Sequence, residues 1–183
     1  EASGNEKTDP LTPQLRALDG FDPEDTSFSD ARFAGITTVQ ILPGSANVMG
    51  GQGVVVKTHG LSADEMIRRH PSGMKAAFGE NPKNIHKERK AMPTTRMAVA
   101  AMLRSVLVEG SNYGKRRERD QDCPRDLRME GVLSVLNGEM PLRIHAHRAD
   151  DILSAIRVVE EFGLDYTVEH CTEGHKIARI LGE

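Results

Sequence analysis

The chain has 183 residues, 28% of them charged and 38% apolar, with a formal net charge of −3. That is enough chain for one domain with a sizeable core, and the charge gives no footprint for nucleic acid or an anionic membrane. No apolar run reaches the roughly 18 residues a spanning helix needs, and no secretory signal is visible from Glu1 onward. The two cysteines, Cys123 and Cys171, are too few for a disulfide scaffold. We read them as reduced thiols in a cytoplasmic protein.

Residues 1–30 are polar and broken by Pro10, Pro13 and Pro23, which predicts a loop-rich segment with one short helix at Thr26–Phe33. "AGITTVQIL" then reads as a buried, β-branched strand. "PGSANVMGGQG" has four glycines in eleven residues and reads as a loop, with Asn47 and Gln52 placed to touch a substrate. It lacks the lysine–hydroxyl ending of a phosphate loop and the spacing of a dinucleotide fingerprint. "VVVKT" predicts a second strand, followed by Lys57 and His59 as further pocket candidates. In "LSADEMIRRH", Ser62 and Glu65 have capping-box spacing for a short helix.

"GMKAAFGE" predicts a third strand over 74–79 that delivers Glu80 at its end. "NPKNIHKERKAMP" reads as a basic loop. From Thr94 or Thr95 a long helix is predicted, with Ala98, Ala101, Met102, Ser105 and Val108 on one face. The charge run "KRRERDQDCP" reads as its solvated end. "RDLRMEGVLSVLNGE" is a further helix, and "PLRIHAH" a fourth strand. "RADDILSAIRVVEEFG" is a helix with Ile152, Ala155, Ile156 and Val159 at helical spacing and Gly163 as its stop. "LDYTVEH" is a fifth strand, and a last helix begins in "CTEGHKIARILGE".

From residue 140 onward this order is a βαβα unit, the pattern of an α/β protein with a parallel sheet. In such proteins the reacting groups gather at the carboxyl ends of the strands. His145 and His147 close one strand, His170 the next and Glu80 an earlier one, so four metal-competent groups are expected on one edge. Along "RIHAH" the period of two sets Arg143, His145 and His147 on one face. Such a polar stripe within a sheet is costly unless its groups are paired or ligated.

The segments "DARFAGITTVQILPGSANVMGGQG", "GMKAAFGENPK", "RIHAHRADDI" and "VEHCTEGHKI" resemble the amidohydrolase superfamily. They are most similar to its imidazolonepropionase-related and prolidase-like members. The resemblance covers nearly the whole chain. It implies a partial (β/α)8 barrel, about strands two to six, over residues 1–183, and a hydrolase acting on carbon–nitrogen bonds with one or two divalent metals, zinc first. On it, His145 and His170 match the fifth- and sixth-strand ligands, and Glu80 best matches the fourth-strand carboxylate or modified lysine. His147 falls to the catalytic role of meeting the substrate. The expected partners are a small amide or peptide substrate and further copies of the chain.

The family's first-strand His-x-His pair would fall before Glu1 and its eighth-strand aspartate after Glu183. Arg148 stands where the imidazolonepropionase-related group carries a substrate-binding carboxylate. A partial barrel that serves only as an assembly or binding module is the alternative reading.

Overall fold

The computed structural model describes residues 4–182. Among them lie seven strands: β1 (Thr38–Ile41), β2 (Met49–Gln52), β3 (Val54–Lys57), β4 (Ile67–Arg69), β5 (Met74–Ala77), β6 (Leu142–Ala146) and β7 (Tyr166–His170). The α-helices are α1 (Thr26–Phe33), α2 (Ala63–Met66), α3 (Glu80–Glu88), α4 (Arg96–Arg119), α5 (Leu127–Leu136), α6 (Ala149–Glu161) and α7 (Ala178–Leu181).

The strands form two sheets. One is antiparallel, in the order β1-β3-β4. The other has the order β2-β5-β6-β7, with β2 antiparallel to β5 and the last three strands parallel. The α/β class expected from the βαβα pattern is therefore present. A small apolar cluster of Phe28, Val54, Val56 and Met66 serves the first sheet. The main core packs Ala76, Leu142 and Ile144 against helical residues such as Leu103, Val132 and Ile152.

Alternation then leaves Lys75 of β5, Arg143 and His145 of β6 and Glu169 of β7 on the opposite, polar face of the second sheet. The register confirms the grouping: Lys75 pairs with Arg143, and His145 with Glu169.

Several elements follow the sequence closely. α1 spans the expected residues and is capped by Asp25, whose side chain accepts from Ser27 N. Ser62 caps α2 by accepting from Glu65 N, while the Glu65 carboxylate reaches back to Leu61 N. Ile152, Ala155, Ile156 and Val159 are all buried on α6, and the basic run forms the exposed end of α4.

Five expectations require correction. The strand expected to be buried in "AGITTVQIL" is β1, none of whose residues is buried, because among the described residues it pairs only with β3 at the edge of the small sheet. The glycine-rich segment expected as a loop contains β2. Its glycines serve close approach, not disorder: a Cβ on Gly51 would lie 2.5 Å from Leu15 O, and Gly51 sits at φ +121°. The N-terminal segment docks there, with Thr12 N donating to Met49 O at 2.8 Å and Gln52 N to Leu15 O at 2.7 Å.

The expected basic loop after Glu80 is α3. Gly79, at φ +87°, turns the chain out of β5, and Glu80 complements the positive end of the helix dipole. Pro82 falls in the first turn, where its missing N–H costs nothing.

Next, β4 replaces the end of the expected helix, because α2 stops where Ile67 adopts φ −58°, ψ 134°. Finally, α4 buries Val99, Leu103, Val106 and Leu107, whereas the expected Val108 is exposed. Gly110 and Gly114 let α5 close in: Cβ atoms there would meet Val132 at 2.5 Å and Leu133 at 2.9 Å.

Candidate functional site

Three histidines converge at the carboxyl ends of β6 and β7. His145 lies in β6, His147 just beyond it and His170 ends β7. The ring centroids are 4.6 Å apart for His145–His147, 4.7 Å for His145–His170 and 5.0 Å for His147–His170, the last pair stacked. One nitrogen from each lies within 4.8 Å of the others, a grouping able to hold a metal ion.

His170 reaches this cluster against the alternation of its strand. Its register partner is Ala146, which faces the core, so a regular strand would turn His170 away from His145. Instead His170 and Cys171 adopt φ +66° and +47°. This left-handed stretch is unfavourable for non-glycine residues, and it re-aims the imidazole. Cys171 N, donating to Ala146 O at 3.1 Å, anchors the turn.

His145 is the deepest member at 5% exposure. Burial, then the positive charge of Lys75 and the neighbouring histidines, pushes its pKa down to about 4, with Glu80 opposing. The ring is therefore neutral at neutral pH, as a metal ligand must be. Its Nε2 lies 3.2 Å from Asn81 Nδ2, while its Nδ1 is buried without a hydrogen-bond partner. An orphaned nitrogen in a cluster of imidazoles fits a divalent ion. Both His147 and His170 are exposed, and His147 Nδ1 lies 2.7 Å from Thr172 Oγ1.

Glu80 does not join the three-histidine group. It is the first residue of α3, and Arg96 Nη2 donates to its Oε1. Burial pushes its carboxyl up, but the bond from Arg96, one from its own backbone N–H and the charges of Arg96 and Arg148 outweigh this and leave it below the usual range. Arg96 in turn grips the buried Asp151 through Nε at 2.8 Å and Nη2 at 3.1 Å.

The other acidic neighbours are engaged as well: Asp150 pairs with Arg148 at 2.9 Å and Glu169 with Arg143 at 2.7 Å. Asn47 is buried and donates to Thr12 Oγ1, and Gln52 donates to Pro13 O. Both hold the N-terminal segment and do not line the histidine cluster. Lys57 donates to Thr38 Oγ1 on the other sheet, and His59 follows that same sheet.

Lys75 is a site residue that the sequence reading missed. It is 4% exposed, and burial pushes its pKa down to about 8, with Glu169 opposing and Arg143 adding to the fall. A lysine inside the buried run "MKAA" was the available signal. Arg96 was also legible in principle: a cation at the start of a helix opposes the dipole and implies a nearby acid.

A cavity of about 490 Å³ lies elsewhere, lined by residues including Leu15, Phe21, Ile41 and Leu42. It contains none of the histidines, and its Arg16 is already paired with Asp19.

A parallel αβ layer with imidazoles gathered at its strand ends matches the amidohydrolase superfamily, which the histidine-bearing motifs resemble. The relatives carry that name. Over 202 residues the chain is 29% identical to amidohydrolase tasK of Hapsidospora irregularis, a match taking in 97% of this chain and 21% of that protein. It also matches the crystal structure of an amidohydrolase from Thermotoga maritima MSB8, with a TM-score of 0.95 and 48% identity over 98% of this chain and 48% of that one. The chain thus spans about a fifth of the first relative and about half of the second. No family model matches it. Among the described residues no helix is long and apolar enough to cross a membrane.

Proposed function

We propose that this chain is the metal-holding part of an amidohydrolase that cleaves an amide, cyclic amide or peptide-like C–N bond in a small molecule. The carrying observation is the cluster of His145, His147 and His170, whose deepest ring is neutral and has an unpartnered buried nitrogen. β5, β6 and β7 then read as consecutive strands of a (β/α)8 barrel, with the polar face of their sheet turned inward.

In this reading His145 and His170 hold a divalent ion, zinc first by its preference for imidazole nitrogen, and Glu80 offers a carboxylate from α3. When bound, the ion lowers the pKa of a water to about 7 and polarises the scissile carbonyl. His147 meets the substrate, with Thr172 fixing its ring. Lys75, Arg143 and Glu169 form a charged floor beneath the histidines. Both relatives support the reading by name.

The test is metal analysis of the protein from the full reading frame, beside His145→Ala and His170→Ala. Both substitutions are expected to strip the ion. Metal content unchanged in both would remove the assignment.

A further inference from the structure

Two contacts hold His145 to the segment that follows β5. Phe78 N donates to His145 O at 2.9 Å, and Asn81 Nδ2 lies 3.2 Å from His145 Nε2. Asn81 is the second residue of α3, a helix anchored by the buried side chains of Pro82 and His86. The ring of His145 therefore meets an amide carried on a packed element and not on a free loop.

The two nitrogens of that ring are left unequal. Nε2 has the amide, whereas Nδ1 is buried with no hydrogen-bond partner. A neutral imidazole carries one ring proton. With Asn81 Nδ2 donating to Nε2, that proton sits on Nδ1, and a buried N–H goes unsatisfied. A side-chain amide turned by half a revolution offers its oxygen where its nitrogen was, since the two ends are nearly alike in shape. Asn81 Oδ1 then accepts the proton on Nε2, and Nδ1 is left with a lone pair. Histidines that ligate metals almost always donate their other N–H to such a partner. His145 offers one ligand atom within 4.8 Å of those of His147 and His170, and Nδ1 is its unpartnered nitrogen.

We propose that Asn81 is a positioning residue for His145: with its amide turned, Oδ1 accepts the Nε2 proton, fixes the ring and makes Nδ1 the atom that takes a divalent ion in the histidine cluster. The proposal rests on the reading of His145 as a metal ligand. Losing an orienting partner of this kind typically costs about 10–100-fold in metal affinity.

The test uses the protein from the full reading frame. Zn2+ affinity is read by competition with a chromophoric chelator, and 15N NMR reads the histidine rings of the zinc-loaded protein. In wild type the spectrum is expected to show the His145 proton on Nε2 and zinc on Nδ1. Asn81→Leu keeps the size of the side chain without a polar atom, and is expected to weaken Zn2+ binding about 10–100-fold. Asn81→Asp keeps an acceptor without a donor, and is expected to bind Zn2+ at least as tightly as wild type. Added to His145→Ala, Asn81→Leu is expected to cost nothing further, because no ring is left to orient.

Zinc on His145 Nε2 overturns the proposal. Unchanged or tighter binding in Asn81→Leu does so too, since removing the amide would then merely free Nε2. A loss in Asn81→Asp as large as in Asn81→Leu rules out the acceptor role. A further loss beside His145→Ala means that Asn81 acts on the fold and not through the ring, and also overturns the proposal. Undiminished Zn2+ binding in His145→Ala removes the ligand reading itself, and the positioning role with it. Should Asn81→Leu not fold, Asn81→Ala removes the same amide, with the same expectations and the same reversals.

Discussion

His145 and His170 stand on neighbouring parallel strands with ring centroids 4.7 Å apart, although strand alternation alone would point them to opposite faces of the sheet. Since the left-handed turn at His170 serves this approach, both rings are expected to hold the same ion. Replacing either with alanine should weaken zinc binding at least about tenfold, as lost ligands do when oriented neighbours alone cost that much. Isothermal titration of the two variants beside wild type checks this.

His147 is expected to differ from its two neighbours. It is exposed, and Thr172 lies 2.7 Å from its Nδ1. In His147→Ala the ion should stay bound while kcat/KM falls by roughly 100-fold, the lower end for a positioned acid–base group. Loss of metal in His147→Ala, with retention in His145→Ala, would exchange the two roles.

Lys75 should cost the fold stability at neutral pH. Burial depresses its pKa from 10.5 to about 8. Below pH 8 both folded and unfolded forms carry the charge, and the folded form bears the penalty in full. Between about 8 and 10.5 the unfolded chain binds more protons, so stability rises with pH. Lys75→Met is therefore expected to stabilise the chain at pH 7 by up to about 3 kcal/mol and to flatten this rise. Denaturant melts at pH 7 and pH 10 read both effects. A variant less stable than wild type at pH 7 would mean that Lys75 is net favourable through Glu169.

Gly79→Ala should destabilise the fold. Gly79 sits at φ +87°, and an added Cβ would press on Asp151 at 2.7 Å. A strained backbone position of this kind costs on the order of 1–3 kcal/mol. A thermal melt of the variant beside wild type checks this.

β7 has β6 as its one strand partner among the described residues, and an uncovered strand edge invites pairing. The 183-residue chain by itself is expected to self-associate and to hydrolyse nothing. Light scattering coupled to size exclusion, beside an amidase assay, tests this. An active monomer of these residues would show that the site is complete within them.

The α/β class and the placing of His145 and His147 were legible in the residues, because alternation in "LRIHA" and helical spacing in α6 are local signals that burial then reinforces. The charged end of α4 and the caps at Asp25 and Ser62 were legible for the same reason. What the sequence could not fix depends on which neighbour arrives. Gly50 and Gly51 are turn residues on local grounds and became a strand only because the N-terminal segment closes on them. The buried face of α4 was decided by α5, which fits against Gly110 and Gly114.

The site divides along the same line. Local pattern named His145, His147 and His170 as candidates, and it placed Glu80 at the edge with them. Tertiary structure alone turned His170 through a left-handed backbone into the cluster. It also set Arg96, distant in sequence from Asp151, between two carboxylates, so that Glu80 is held by a cation beside the histidines. Periodicity reports which face a residue prefers, but the partner that a charge finds is set by chain segments that meet only when the sheet and its helices have packed.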